Sequence, residues 1–128
     1  MEWNFRGDQP IYSQLIQRIK QGIVSGDLSP GERLPSVRDL AAEAGVNPNT
    51  MQRALQELER EGMVFSQRTA GRFVTEDVKL IEGAKRAFAA EHIRVFLDGM
   101  GKLGYGREEI LSLLQEEEEE DANGNSGM

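Results

Sequence analysis

Two helix-start signals stand eleven residues apart, at Ser36 and Asn47, with a glycine at position 45 between them. That spacing leaves room for one short helix, a turn of two or three residues and the start of a second helix. Ser36 is a good N-cap and Asp39 follows three residues later, a capping-box pattern with Asp in place of the usual Glu. Behind it Val37, Leu40, Ala41 and Ala44 repeat with helical spacing until Gly45. Asn47 is again a favourable cap, and Pro48 fits the first helical position, where its missing N–H costs nothing. Met51, Ala54, Leu55 and Leu58 then mark an inward face, and Gly62 ends the helix.

The flanking segments add a frame. Residues 10–25 form an amphipathic helix with Ile11, Leu15, Ile16, Ile19 and Ile23 on one stripe, stopped at Gly26. Asp27 to Arg33 is a turn built on Pro30-Gly31. After Gly62 come two short runs of strand formers, Met63 to Gln67 and Arg72 to Thr75, joined by Arg68-Thr69-Ala70-Gly71, which reads as a β-hairpin. From Asp77 to Leu103 the apolar positions recur at helical spacing, interrupted late by Gly99 and Gly101 and stopped at Gly104. A last helix spans about Arg107 to Glu118. The fold class expected is mainly α with a small β-hairpin wing: a winged helix-turn-helix followed by a two-helix C-terminal region. The boundaries fall at 1–76, 77–120 and a polar, disordered tail at 121–128.

A helix-turn-helix must bury one face of its second helix and offer the N-terminal half of the other to a DNA groove. Opposite Met51, Leu55 and Leu58 lie Asn49, Gln52, Arg53 and Gln56. Amides pair bidentately with adenine, and arginine with guanine, in the major groove. Charge is arranged to suit this. The net charge of the 128 residues is −7, but residues 116–121 alone carry −6 of it. No acid occurs between Glu43 and Glu57, nor between Glu61 and Glu76, where Arg68 and Arg72 flank the hairpin turn. Two acid-free surfaces are therefore kept where phosphates would approach.

Other chemistries are poorly supplied. The chain has no cysteine, which excludes thiolate sites; its one histidine, His92, is expected at the surface or an interface instead of on a metal, and no place for a nucleophile–base pair is evident. There is no Gly-rich phosphate loop, so neither an enzyme nor a cofactor is expected. No signal-like leader and no run near the length of a membrane span is present, so the expected location is the cytoplasm. Trp3 and Phe5 are expected to pack on the first helix or on a partner subunit. A winged helix used only for protein contacts is the alternative; the acid-free surfaces argue against it.

Three segments carry a family resemblance: Leu34-Pro35-Ser36-Val37-Arg38-Asp39-Leu40-Ala41, Gly45-Val46-Asn47-Pro48-Asn49-Thr50 and Leu58-Glu59-Arg60-Glu61-Gly62. In order and separation they resemble the winged helix-turn-helix of the GntR family of bacterial transcription regulators, over about residues 9–76. The short remainder is similar to the YtrA subfamily, in which two helices serve dimerisation in place of a ligand-binding domain. The resemblance implies DNA contacts from Arg38, Asn47, Asn49, Thr50, Gln52 and Arg53, with Gly71 at the wing tip near the minor groove. Ser36, Arg33, Arg68 and Arg72 complete the candidate DNA-binding set, the three arginines as phosphate clamps. The family's wing usually has two glycines around a variable residue; here Thr69 replaces the first and Arg72 follows the second.

The implied protein is a homodimeric repressor of its own operon, reading a twofold-symmetric double-stranded DNA operator; such regulators are often associated with transporter genes. Leu80, Ile81, Phe88, Phe96, Ile110, Leu111 and Leu114 are the candidate dimer interface, because two helices alone cannot cover so many apolar side chains. The part beyond the wing is too short to enclose a ligand cavity in one subunit. A small-molecule effector, if there is one, would bind between subunits or between the two regions.

Overall fold

The computed structural model describes residues 1–121. In order these form α1 (Ile11–Ser25), α2 (Val37–Ala44), α3 (Pro48–Arg60), β1 (Val64–Gln67), β2 (Gly71–Val74), α4 (Val78–Lys102) and α5 (Arg107–Glu120). The fold is mainly α with a two-stranded antiparallel hairpin, in the expected order. Two compact units are present, Met1–Phe88 and the part from Ala89 onward.

In the first unit α3 is the central element, packed against α1, α2 and β1. Its inward residues Met51, Ala54, Leu55 and Leu58 are buried with Leu15, Ile19, Met63, Val64 and Val74. The stops are stereochemical. Gly26, Gly45 and Gly62 all take positive φ, at 91°, 71° and 82°, where a side chain would be strained. Ile11, the first residue of α1, departs from the expected stripe and is 37% exposed. Gly22 takes a buried place instead, because the Leu28 and Met1 side chains close over it: a Cβ there would lie 3.2 Å from each.

One feature was not legible in the pattern. The turn before α2 bonds to the wing: Gly31 N–H donates to Val74 O, Val74 N–H to Glu32 O and Leu34 N–H to Arg72 O, each at 2.9 Å. The N-terminal segment is also tied down. Trp3 and Phe5 pack against the core, and Trp3 Nε1 donates to Glu43 on α2 at 2.7 Å.

The first compact unit runs past the expected boundary at Glu76. Thr75 Oγ1 accepts from Asp77 N–H at 3.0 Å, and Asp77 Oδ1 accepts from Leu80 N–H at 3.1 Å, which starts α4 directly after the wing. Leu80, Ile81 and Ala84 then pack on the core of the winged helix. In the second unit Gly104, at φ 95°, turns the chain between α4 and α5, and Glu109 Oε1 accepts from Gly106 N–H at 2.9 Å at the start of α5. Of the expected tail, Asp121 is still helical (φ −60°, ψ −44°), and the rest lies outside the described residues.

Candidate nucleic-acid interface

α3, the helix expected to read DNA, begins as its sequence requires. Asn47 Oδ1 accepts from Asn49 N–H at 2.7 Å, and Pro48 occupies the first turn, so two of the unpaired N-terminal amides are accounted for. With Met51, Ala54 and Leu55 turned inward, Asn49, Arg53 and Gln56 are exposed and Thr50 and Gln52 half-buried. The guanidinium of Arg53 lies over the ring of Tyr12 on α1, with Cζ 4.7 Å from the ring centre. Sequence reasoning missed Tyr12, because an aromatic one position past the start of an amphipathic helix gives no signal of what it faces.

On α2, Arg38 is exposed. The Ser36 hydroxyl accepts from Asp39 N–H at 3.1 Å, so the candidate contact residue also serves as the helix cap.

The acids at the far end of α3 are each matched by a cation. Arg60 Nε donates to Glu57 at 2.9 Å, Lys20 Nζ lies 2.5 Å from Glu61, and Arg72 Nε donates to Glu59 at 2.6 Å. The hydrogen bonds from Arg60 hold the Glu57 carboxyl below its ordinary range, and Glu57 in turn raises the Arg60 guanidinium. The acid-free reading surface is thus bordered by carboxylates whose charge is offset within the protein.

The wing pairs Val64 with Val74, Phe65 with Phe73, Ser66 with Arg72 and Gln67 with Gly71. Phe65 and Phe73 stack with centres 5.7 Å apart. Gly71 takes φ 105°, and a Cβ on it would lie 3.2 Å from Nε of Arg33, so the Arg33 side chain lies over the start of β2. Arg33, Gly71 and Arg72 are therefore brought together, whereas Arg68 stands exposed in the loop beyond. Glu59, on the last turn of α3, faces β2 and takes one donor of the Arg72 guanidinium, the others being left to a further partner.

The candidate interface residues on the C-terminal helices are redistributed. Leu80 and Ile81 are half-buried against the core of their own winged helix, which removes them from a free apolar face. Phe88 is half-buried, and Ile110 is covered within the second unit at 6% exposure. Phe96, Leu111 and Leu114 remain open, and with Ile93 and Leu97 they line a groove of about 600 Å³ whose other walls are Arg107 and Ile110. Ile93 and Leu97 were absent from the expected set; on α4 Ile93 lies about one turn before Phe96, and Leu97 directly follows it. His92 is exposed, and no cluster of potential metal ligands occurs among the described residues. No helix among them is long and apolar enough to cross a membrane.

Comparison with known proteins gives this geometry a family. The family model described as "Bacterial regulatory proteins, gntR family" matches residues 11–74, from the first residue of α1 to the end of β2. The HTH-type transcriptional repressor YtrA of Bacillus subtilis is 36% identical over 87% of this chain and 86% of its own length. A GntR family transcriptional regulator from Listeria monocytogenes superposes with a TM-score of 0.80 at 37% identity, covering 88% of this chain and 98% of that one. The DNA-binding domain of AraR, solved in complex with its operator ORX1, superposes with a TM-score of 0.54 at 28% identity over 59% of this chain and 96% of that one. The chain is a member of the gntR family of bacterial regulatory proteins, a DNA-binding transcription regulator of YtrA-like build and not an enzyme.

Proposed function

We propose that the protein is a homodimeric repressor of its own operon, acting in the cytoplasm on a twofold-symmetric operator, with one α3 in the major groove of each half-site. One observation carries this reading. The N-terminal half of α3 offers Asn49, Thr50, Gln52 and Arg53 with no acid among them, while Glu57, Glu59 and Glu61 behind are all paired with cations. Arg38 and Ser36 at the start of α2, with Arg33 and Arg68 at the wing, are suited to phosphates; Asn47 combines capping with a contact to the backbone of DNA. Arg72, held by Glu59, sets the angle of the wing, and Gly71 lets its backbone come close to the minor groove.

The division of labour proposed is DNA reading by residues 1–76 and subunit pairing by residues 77–120, with the first turns of α4 anchored on the winged helix. The open groove of α4 and α5 is the pairing surface, since Phe96, Leu111 and Leu114 of a second copy would cover the same residues of the first. Linking two half-site readers raises the effective concentration of the second and hence operator affinity. A gel shift on the protein's own promoter region tests the reading. Arg53→Ala should cost about 1–3 kcal/mol of specific affinity if Arg53 makes a bidentate base contact. Equal affinity of parent and variant would refute that assignment, and no sequence preference in the parent would refute the reading as a whole.

A further inference from the structure

The geometry points to Tyr12 as a positioning residue for base readout: its ring holds the Arg53 guanidinium by the face, so that the hydrogen-bonding edge stays free for a guanine. The inference rests on the reading that Arg53 contacts a base. It goes further by assigning part of the recognition to a side chain on a different helix, outside the helix-turn-helix.

Two kinds of restraint on arginine can be compared in this chain. Arg6, Arg60, Arg72 and Arg94 give guanidinium N–H groups to Asp8, Glu57, Glu59 and Glu91, which leaves fewer donors for a nucleic acid. Arg53 has no such carboxylate partner among the described residues; its contact is with the π-face of Tyr12, 4.7 Å from Cζ to the ring centre. A guanidinium has five donors in its own plane and none on its faces. Stacking therefore restrains it without using a donor, whereas an ion pair restrains it by using one or two.

The ring is itself fixed. Tyr12 is half-buried and packs against the core in the first turn of α1, and α1 is packed along α3. Arginine carries several rotatable bonds, and an unrestrained one at the reading face must lose that freedom on binding. A guanidinium already held over a fixed ring has lost much of it in the free protein, which favours binding and narrows the directions the fork can present. The ring attracts a cation through its negative face, so the restraint depends on the ring's electrons and not on its bulk alone.

The test uses the full chain and a duplex selected for tight binding by the parent protein. Tyr12→Leu should weaken binding about three- to tenfold, and Tyr12→Phe should leave it nearly unchanged, because the hydroxyl is not needed for stacking. Pentafluorophenylalanine at position 12 keeps the shape, withdraws the electrons of the face and should bind as weakly as Tyr12→Leu. It also serves if the leucine variant folds poorly. In an Arg53→Ala background none of these changes should alter affinity. Loss in Tyr12→Phe equal to that in Tyr12→Leu, an unchanged affinity with the fluorinated ring, or the same losses in the Arg53→Ala background would each overturn the inference. If Arg53→Ala alone binds as tightly as the parent, the base-contact reading fails at its own step, and the inference fails with it.

Discussion

Ile110 and Leu111 are adjacent on α5 and have opposite surroundings, 6% and 51% exposed. Leu111→Asp therefore removes little that a single chain buries, and its effect reports on whatever covers the groove. Full burial of a leucine is worth about 1.5–3 kcal/mol. With half of Leu111 still to be covered, each subunit forgoes roughly 1 kcal/mol of apolar burial on pairing. A twofold interface carries the change twice, about 2 kcal/mol, and an unpaired carboxylate in an apolar contact adds several more. The dimer dissociation constant should rise at least about 100-fold. Sedimentation equilibrium over a range of concentrations measures this, with circular dichroism on the same samples to show that helix content is kept. Ile110→Asp is the contrast, because it places the charge inside the second unit and should reduce helix content as well. Two results refute the reasoning: a Leu111→Asp protein that dimerises like the parent, or a parent that is monomeric at concentrations that saturate its operator.

Other expectations follow from the core and from the ion pairs. Leu58 is fully buried on α3, so Leu58→Ala should lower unfolding stability by about 2–5 kcal/mol in denaturant titration; a loss below about 1 kcal/mol would show that the core there is loosely packed. Glu57 should titrate below its ordinary value of 4.5 in a carboxyl-resolved NMR experiment, chiefly because Arg60 donates to it, and should return toward that value in Arg60→Ala. The sign follows: a carboxyl whose folded pKa is lowered contributes its stabilisation at neutral pH and loses it as pH falls through the lowered pKa. A midpoint for Glu57 that does not move in Arg60→Ala would show that the bond is not maintained in solution.

The helices and the hairpin were legible because each is announced locally. Ser36, Asn47 and Pro48 start helices by their own chemistry, and Gly26, Gly45, Gly62 and Gly104 end them with positive φ. The exposed face of α3, proposed to read DNA, followed from the same periodicity, as the complement of Met51, Ala54, Leu55 and Leu58. What could not be read depends on pairs far apart in sequence. Nothing near Tyr12 says that Arg53 will lie on it, and nothing near Arg72 names Glu59. Leu80 and Ile81 have the helical spacing of an interface stripe, and periodicity cannot say which surface such a stripe meets. Only the bonds that start α4 beside the wing commit them to the winged-helix core.

The double anchorage of β2 sets how the hairpin can respond to a ligand. One edge of β2 bonds to β1, and the other bonds to the turn at residues 31–34. A strand held on both sides behaves as a stiff root, and only Arg68, Thr69 and Ala70 lie between the paired residues Gln67 and Gly71, with Ala70 N–H donating to Gln67 O at 3.0 Å. Fixing a residue's backbone costs about 1–2 kcal/mol, so docking the wing would order three residues at the tip instead of a whole hairpin. If the wing makes the proposed second contact on DNA, its entropic cost would thereby be kept to a few kcal/mol, small enough for a single arginine and a few backbone amides to offset.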